Sequence, residues 1–187
     1  MDRIILASAS PRRKQLLEWA EIPFDQEPSD SDELVPEDIL ASEIPVFLAS
    51  QKAAIVRRRI GPGRIILAAD TVVVMDQELL GKPTDRSDAI RMLSLLSGCV
   101  HQVITGVALT DSNKEILFSE VTKVRFHPIT TREIEHYVDT YSPYDKAGAY
   151  AIQEWIGVVG IHSIEGDFYN VMGLPVSRVL QELKNFI

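Results

Sequence analysis

Ile65-Ile66-Leu67-Ala68-Ala69-Asp70-Thr71-Val72-Val73-Val74-Met75 is apolar and β-branched throughout, except at Asp70-Thr71. Such a run reads as a central strand covered on both faces. Downstream, Asp76-Gln77-Glu78 turns the chain back toward Leu79-Leu80. Upstream, between Pro45 and Ile60, apolar residues recur at Val46, Ala49, Ala53, Val56 and Ile60, in steps of three and four. That is one face of a helix, ended by Gly61 and Pro62. Ile4-Ile5-Leu6 reads as a short buried strand. Ser10 as N-cap and Pro11 at the first position then start a helix through Gln15–Ala20.

Further along, Ala89, Ile90, Leu93 and Leu96 predict a helix closed by Gly98. Strands are expected over Gln102–Leu109 and Ile116–Phe126. Thr130 and Glu133 form a capping box for a helix carrying Ile134, Tyr137, Val138 and Tyr141. Another strand is expected near Val158–Ile164. A last helix carries Val176, Val179, Leu180, Leu183 and Ile187. Strands and helices interleave with at least one hairpin, so the class is α/β with a mixed, helix-covered sheet.

A chain of 187 residues suits a single domain over 1–187, or one core with two lobes. It has neither an apolar run of transmembrane length nor the long apolar core of a signal peptide. A lone cysteine, Cys99, excludes an internal disulfide framework and suits a reducing compartment, so the expected location is cytoplasmic. The net charge of −8 disfavours nucleic acid and anionic membrane as partners. Arg57-Arg58-Arg59 ends a predicted helix, where cations suit the dipole, and reads as a solvated helix end. A polyanionic small molecule remains compatible wherever its site is locally cationic or carries a metal.

Two features do not fit plain packing. Asp70 interrupts the apolar run, where an unpaired carboxylate costs several kcal/mol (roughly). A metal, a lysine or a proton must compensate it, unless it merely caps a strand end. Arg12-Arg13-Lys14 crowd a helix N-terminus, the end that favours anions. Free N–H groups flanked by arginines make a phosphate site, so an anion among them would explain the crowding.

Lys52 flanks the apolar stripe of its helix, and Lys82 lies in the turn Gly81-Lys82-Pro83. That turn is not a phosphate loop: the motif needs Ser or Thr after the Lys and Gly five residues before the Gly-Lys, where this chain has Pro83 and Asp76. Asp145–Gln153 and Gly166–Pro175 have neither helical nor strand period and read as shaped loops. Cys99, His101, His127, His136 and His162 lack zinc-site spacing, and acyl-transfer motifs are absent. The remaining inventory is carboxylates at Glu33 and Asp70 with cations at Arg12, Arg13, Lys52 and Lys82. It suits a phosphate substrate carrying Mg²⁺.

Ser8-Ala9-Ser10-Pro11-Arg12-Arg13, Ala69-Asp70-Thr71-Val72 and Gly81-Lys82-Pro83 resemble motifs of the Maf (septum formation) proteins. So do Ser97-Gly98 with His101, Thr105-Gly106-Val107, Asp145-Lys146-Ala147-Gly148-Ala149-Tyr150 with Gln153, and Gly173-Leu174-Pro175. They run in family order from Leu6 to Pro175. The resemblance implies an ITPase-like (Maf/Ham1) α/β fold, an elongated mixed sheet with helices and a cleft between two lobes. It implies a nucleoside triphosphate pyrophosphatase, a hydrolase that cleaves between the α- and β-phosphates with a divalent cation, Mg²⁺ or Mn²⁺.

Carried over by motif, Asp70 is the proton acceptor, Asp70 and Glu33 hold the metal, and Lys52 and Lys82 hold the triphosphate. Glu33 is one acid among several in Ser29-Asp30-Ser31-Asp32-Glu33. Ser8, Ser10, Arg12 and Arg13 line the substrate. Arg12, Thr71 and Gln153 match the family branch that acts on dTTP and UTP, which implies those substrates and a role in clearing nucleotide pools. The other reading is a non-catalytic nucleotide-binding regulator of septum formation. The resemblance leaves a homodimer open.

Overall fold

The computed structural model describes residues 3–29, 35–36 and 39–186. Its centre is β3 (Ile66–Met75), as the apolar run predicts, with Ile66 to Ala69, Val72 and Val73 buried. β1 (Ile4–Leu6) lies parallel to it, and β2 (Phe24–Gln26) lies parallel to β1. Between β1 and β2 runs α1 (Pro11–Trp19). The parallel β1–β3 pair is joined through α2 (Ile44–Ile60), the connection such a pair requires.

After β3, Asp76 and Gln77 adopt positive φ (47° and 71°), and the chain folds back as antiparallel β4 (Glu78–Leu80). Then come α3 (Arg86–Leu96), β5 (Val100–Thr110) and β6 (Glu115–Phe126), the last two joined by a turn at Asp111–Lys114. α4 (Thr131–Tyr141) starts with the expected capping box of Thr130 and Glu133. α5 (Trp155–Gly160), β7 (Ile161–Glu165), α6 (Phe168–Met172) and α7 (Val176–Leu183) complete the chain. The strand order is β2-β1-β3-β5-β6-β7, with β4 also on β3, a mixed seven-stranded sheet.

Three expectations change. Val158, Val159 and Gly160, expected in a strand, belong to α5. Ile156 and Gly160 are buried while Val158 and Val159 face out, a spacing of four that fits a helix. The stretch Gly166–Pro175, expected as loop, contains the short helix α6. Arg57 is no solvated helix end. Its guanidinium donates to the carbonyls of Gly61, Arg64 and Thr110, tying the end of α2 to the neighbouring chain.

Two compact units divide the chain. Unit 1 holds residues up to Thr71, Thr105–Glu120 and the chain from Gly173 on; unit 2 holds Val72–Ile104 and Val121–Met172. In unit 1, Ile5, Ala7, Ile66, Ala68 and Ala108 pack against Ala49, Ala53 and Val56 of α2. Small residues let that helix sit close. A Cβ on Gly106 of β5 would lie 2.1 Å from the backbone nitrogen of Val46, so the start of α2 requires glycine there. In unit 2, His101, Phe126 and Tyr150 form an aromatic core, with the His101 Nε2 2.7 Å from the Tyr150 hydroxyl. Burial pushes the His101 imidazole down to about 4. No helix among the described residues is long and apolar enough to cross a membrane.

Candidate active site

In unit 1 the parity of β3 decides which helix each polar residue meets. Ile66 and Ala68 face α2, and Asp70, of the same parity, faces it too. There the Lys52 ammonium lies 2.5 Å from Asp70 Oδ1, with side chains only 12% and 13% exposed. Of the three compensations open to Asp70, the structure supplies the lysine. Thr71 has the opposite parity and meets α1. Its hydroxyl accepts from Arg13 Nη2 at 3.1 Å and shares a hydrogen bond with the buried Thr105 hydroxyl at 2.9 Å.

The β1 pairing reaches only to Leu67 on β3, and the β4 pairing begins at Val73. Asp70 and Thr71 belong to neither. Both are only half-buried, unlike Ile66, Leu67, Ala68, Ala69, Val72 and Val73 of the same strand.

At the start of α1, Ser10 occupies the N-cap position and Pro11 follows it, as expected. The Ser10 side chain makes no capping hydrogen bond, however. Instead the Ser8 hydroxyl accepts from the Ser10 N–H at 3.2 Å and from Arg13 Nη1 at 3.2 Å. Arg13 also donates through Nε to the Gly173 carbonyl at 2.8 Å. Three of its five N–H groups thus go to neutral protein oxygens. Arg13 thus fixes Ser8, Thr71 and Gly173 to one another. Arg12 lies half-buried in the same turn.

Unit 2 carries the other expected residues. Lys82 is exposed after β4, and the carbonyl of the preceding Gly81 accepts from the Gly148 N–H at 3.0 Å. Gly148 has φ +67°, and a Cβ there would crowd the Val73 side chain, which explains the irregular Asp145–Gln153 stretch in packing terms. Gln153 is exposed in a turn. Glu33, expected to help hold the metal, lies outside the described residues.

Sequence reading passed over Tyr137, Lys146 and Glu154. Lys146 is buried, 2.7 Å from Asp145 and 3.4 Å from Glu154, and the Tyr137 hydroxyl donates to Glu154. Tyr137 has the apolar spacing of α4 and looks like plain core, while its partner comes 17 residues later. Only the Asp-Lys pairing within Asp145-Lys146 hinted at it.

No group of three or more His, Cys, Asp and Glu residues clusters among the described residues. A Mg²⁺ ion that arrives with phosphates needs no such cage, since one or two carboxylates and the phosphate oxygens hold it. Asp70, a hard-oxygen donor with one oxygen paired to Lys52, fits that mode.

A family model described as Maf-like protein matches residues 3–186. The chain is 48% identical over 183 residues to a dTTP/UTP pyrophosphatase of Bacteroides fragilis (strain ATCC 25285), covering 97% of this chain and 95% of that one. It is 46% identical over 185 residues to a dTTP/UTP pyrophosphatase of Parabacteroides distasonis, covering 98% and 96%. Among solved structures, a HAM1 protein from Coxiella burnetii aligns with a TM-score of 0.52 at 17% identity, over 97% of this chain and 100% of that one. That likeness shows the fold and agrees with the expected ITPase-like class. The chain belongs to the Maf-like protein family.

Proposed function

We propose that this chain is a nucleoside triphosphate pyrophosphatase that converts dTTP and UTP to the nucleoside monophosphate and pyrophosphate with a divalent cation. The observation that carries the reading is the Lys52–Asp70 pair, a carboxylate held 2.5 Å from an ammonium in a strand that is apolar but for Asp70 and Thr71. The curated relatives named dTTP/UTP pyrophosphatase, nearly half identical along almost the whole chain, support the substrate.

In this reading Asp70 takes the proton of the attacking water as the anhydride between the α- and β-phosphates opens and pyrophosphate leaves. Lys52 has three donors, so it can keep Asp70 and still reach a phosphate oxygen. Lys82 adds a second, exposed cation, and the α1 N–H groups left uncapped by the Ser10 side chain favour an anion. Asp70 and Glu33 would hold Mg²⁺ or Mn²⁺, which supplies charge neutralisation to the triphosphate.

Base choice falls to Arg12, Thr71 and Gln153. A uracil or thymine edge offers one N–H between two carbonyls. The Gln153 amide can both donate and accept, whereas Arg12 only donates. With Arg13 and Thr105 engaged, the Thr71 hydroxyl keeps one further hydrogen-bonding capacity. The test is turnover of dTTP, UTP, CTP, GTP and ATP with Mg²⁺, with product identification. Fast release of pyrophosphate from dTTP and UTP is expected. Tight binding of either without turnover would overturn the reading in favour of a nucleotide-binding regulator.

A further inference from the structure

Gln153 sits in a four-residue turn, Ala151-Ile152-Gln153-Glu154, closed by the Glu154 N–H donating to the Ala151 carbonyl at 3.1 Å. Both ends of this turn meet the same atom. The Tyr137 hydroxyl accepts from the Ala151 N–H at 3.2 Å and donates to Glu154 Oε2. The other carboxylate oxygen, Oε1, lies 3.4 Å from the Lys146 ammonium, whose side chain is 9% exposed. Tyr137 itself is fully buried on α4.

The underside of the turn is equally fixed. The Gly157 N–H donates to the Glu154 carbonyl at 2.9 Å, and a Cβ on Gly157 would lie 1.8 Å from the Ile152 carbonyl oxygen. Of the four turn residues only Gln153 is exposed.

We propose that Tyr137 is a positioning residue for base selection: with Glu154 and Lys146 behind it, its hydroxyl locks the turn that presents the Gln153 amide. This rests on the proposed pyrimidine triphosphate activity. An amide discriminates between bases only while its donor and acceptor stay aligned, because hydrogen bonds weaken steeply away from linearity. A turn released at both ends would let Gln153 meet several base edges. Burial and the adjacent Glu154 push the Tyr137 phenol well above its ordinary value, so it remains a donor throughout the working pH range.

The experiment compares kcat and KM for dTTP, UTP and GTP in wild type, Tyr137→Phe, Glu154→Ala, Glu154→Gln and Tyr150→Phe, with a thermal melt of each. Tyr137→Phe removes only the hydroxyl. It should lower the dTTP-over-GTP ratio of kcat/KM roughly tenfold, mainly through KM for dTTP, as the alignment of one hydrogen bond is lost. Glu154→Ala should do the same. Glu154→Gln keeps an acceptor for the phenol and should keep the ratio. Tyr150→Phe removes an equally buried hydroxyl that meets His101 instead, so it should lower the melting temperature and leave the ratio alone.

An unchanged ratio in Tyr137→Phe, or an equal fall in Tyr150→Phe, would overturn the positioning role while leaving the proposed function standing. A wild type that does not turn over dTTP or UTP, or does not prefer them to GTP, would overturn both.

Discussion

Each compact unit holds a lysine–carboxylate pair largely out of water, and the two are built differently. In unit 2, Glu154 has Tyr137 on one oxygen and Lys146 on the other, with Asp145 also against the lysine. Such a carboxylate is committed to structure. In unit 1, Asp70 sits in an apolar strand with Lys52 on Oδ1. Replacing a buried ion pair by apolar residues is often neutral or stabilising, so packing gives no reason for a carboxylate at that point of β3. The contrast separates an acid that packing does not explain from one that ties a turn.

The contrast can be broken at several points. The largest effect is expected for Gly106→Ala, because the new Cβ would lie 2.1 Å from the backbone at the start of α2. Moving that helix should cost about 3 kcal/mol or more and carry Lys52 away from Asp70. Urea unfolding and turnover should fall together. Asp70→Asn should separate them, with kcat down about a hundredfold or more while stability falls only by about 1 kcal/mol, because the amide oxygen still accepts from Lys52 after the charge is lost. Near-normal turnover in that variant would remove Asp70 from the chemistry.

Lys146→Met should show the reverse pattern. Stability should drop by about 2 kcal/mol, below the full cost of breaking a buried pair because Glu154 keeps Tyr137 and is 23% exposed. Turnover of dTTP should persist with weakened base preference. A Lys146→Met protein as stable as wild type would make the two pairs alike.

The most gradual effect is a slope with pH. Folded His101 is held at about 4 by burial, below its ordinary 6.5. Between those values the unfolded chain binds a proton that the folded chain does not. Stability is therefore full above about pH 6.5 and falls by roughly 1.4 kcal/mol per pH unit down to about 4. Urea titrations across that window should show the slope in wild type and lose it in His101→Phe.

What could be read in the sequence follows from how local each signal is. The apolar run of β3, the three-and-four spacing of α2 and the capping box of α4 are set by neighbouring residues, and all appear where expected. The start of the expected strand near Val158 is helix α5 instead, because Val158 and Val159 favour strands locally while the burial of Ile156 and Gly160 depends on the fold around them. Asp70 stood out because its strand neighbours are apolar. The protein acceptors of Arg13, Thr71 and Gly173, could not be read locally because they lie 58 and 160 residues away. Tyr137 and Glu154 stayed hidden because a core tyrosine and a loop glutamate are unremarkable until the fold brings them together.

The most direct test of the central claim is phosphorus NMR of the wild-type protein turning over UTP with Mg²⁺. Signals of UMP and pyrophosphate should grow in equal amounts, with no UDP at any time. Appearance of UDP with orthophosphate would contradict cleavage between the α- and β-phosphates.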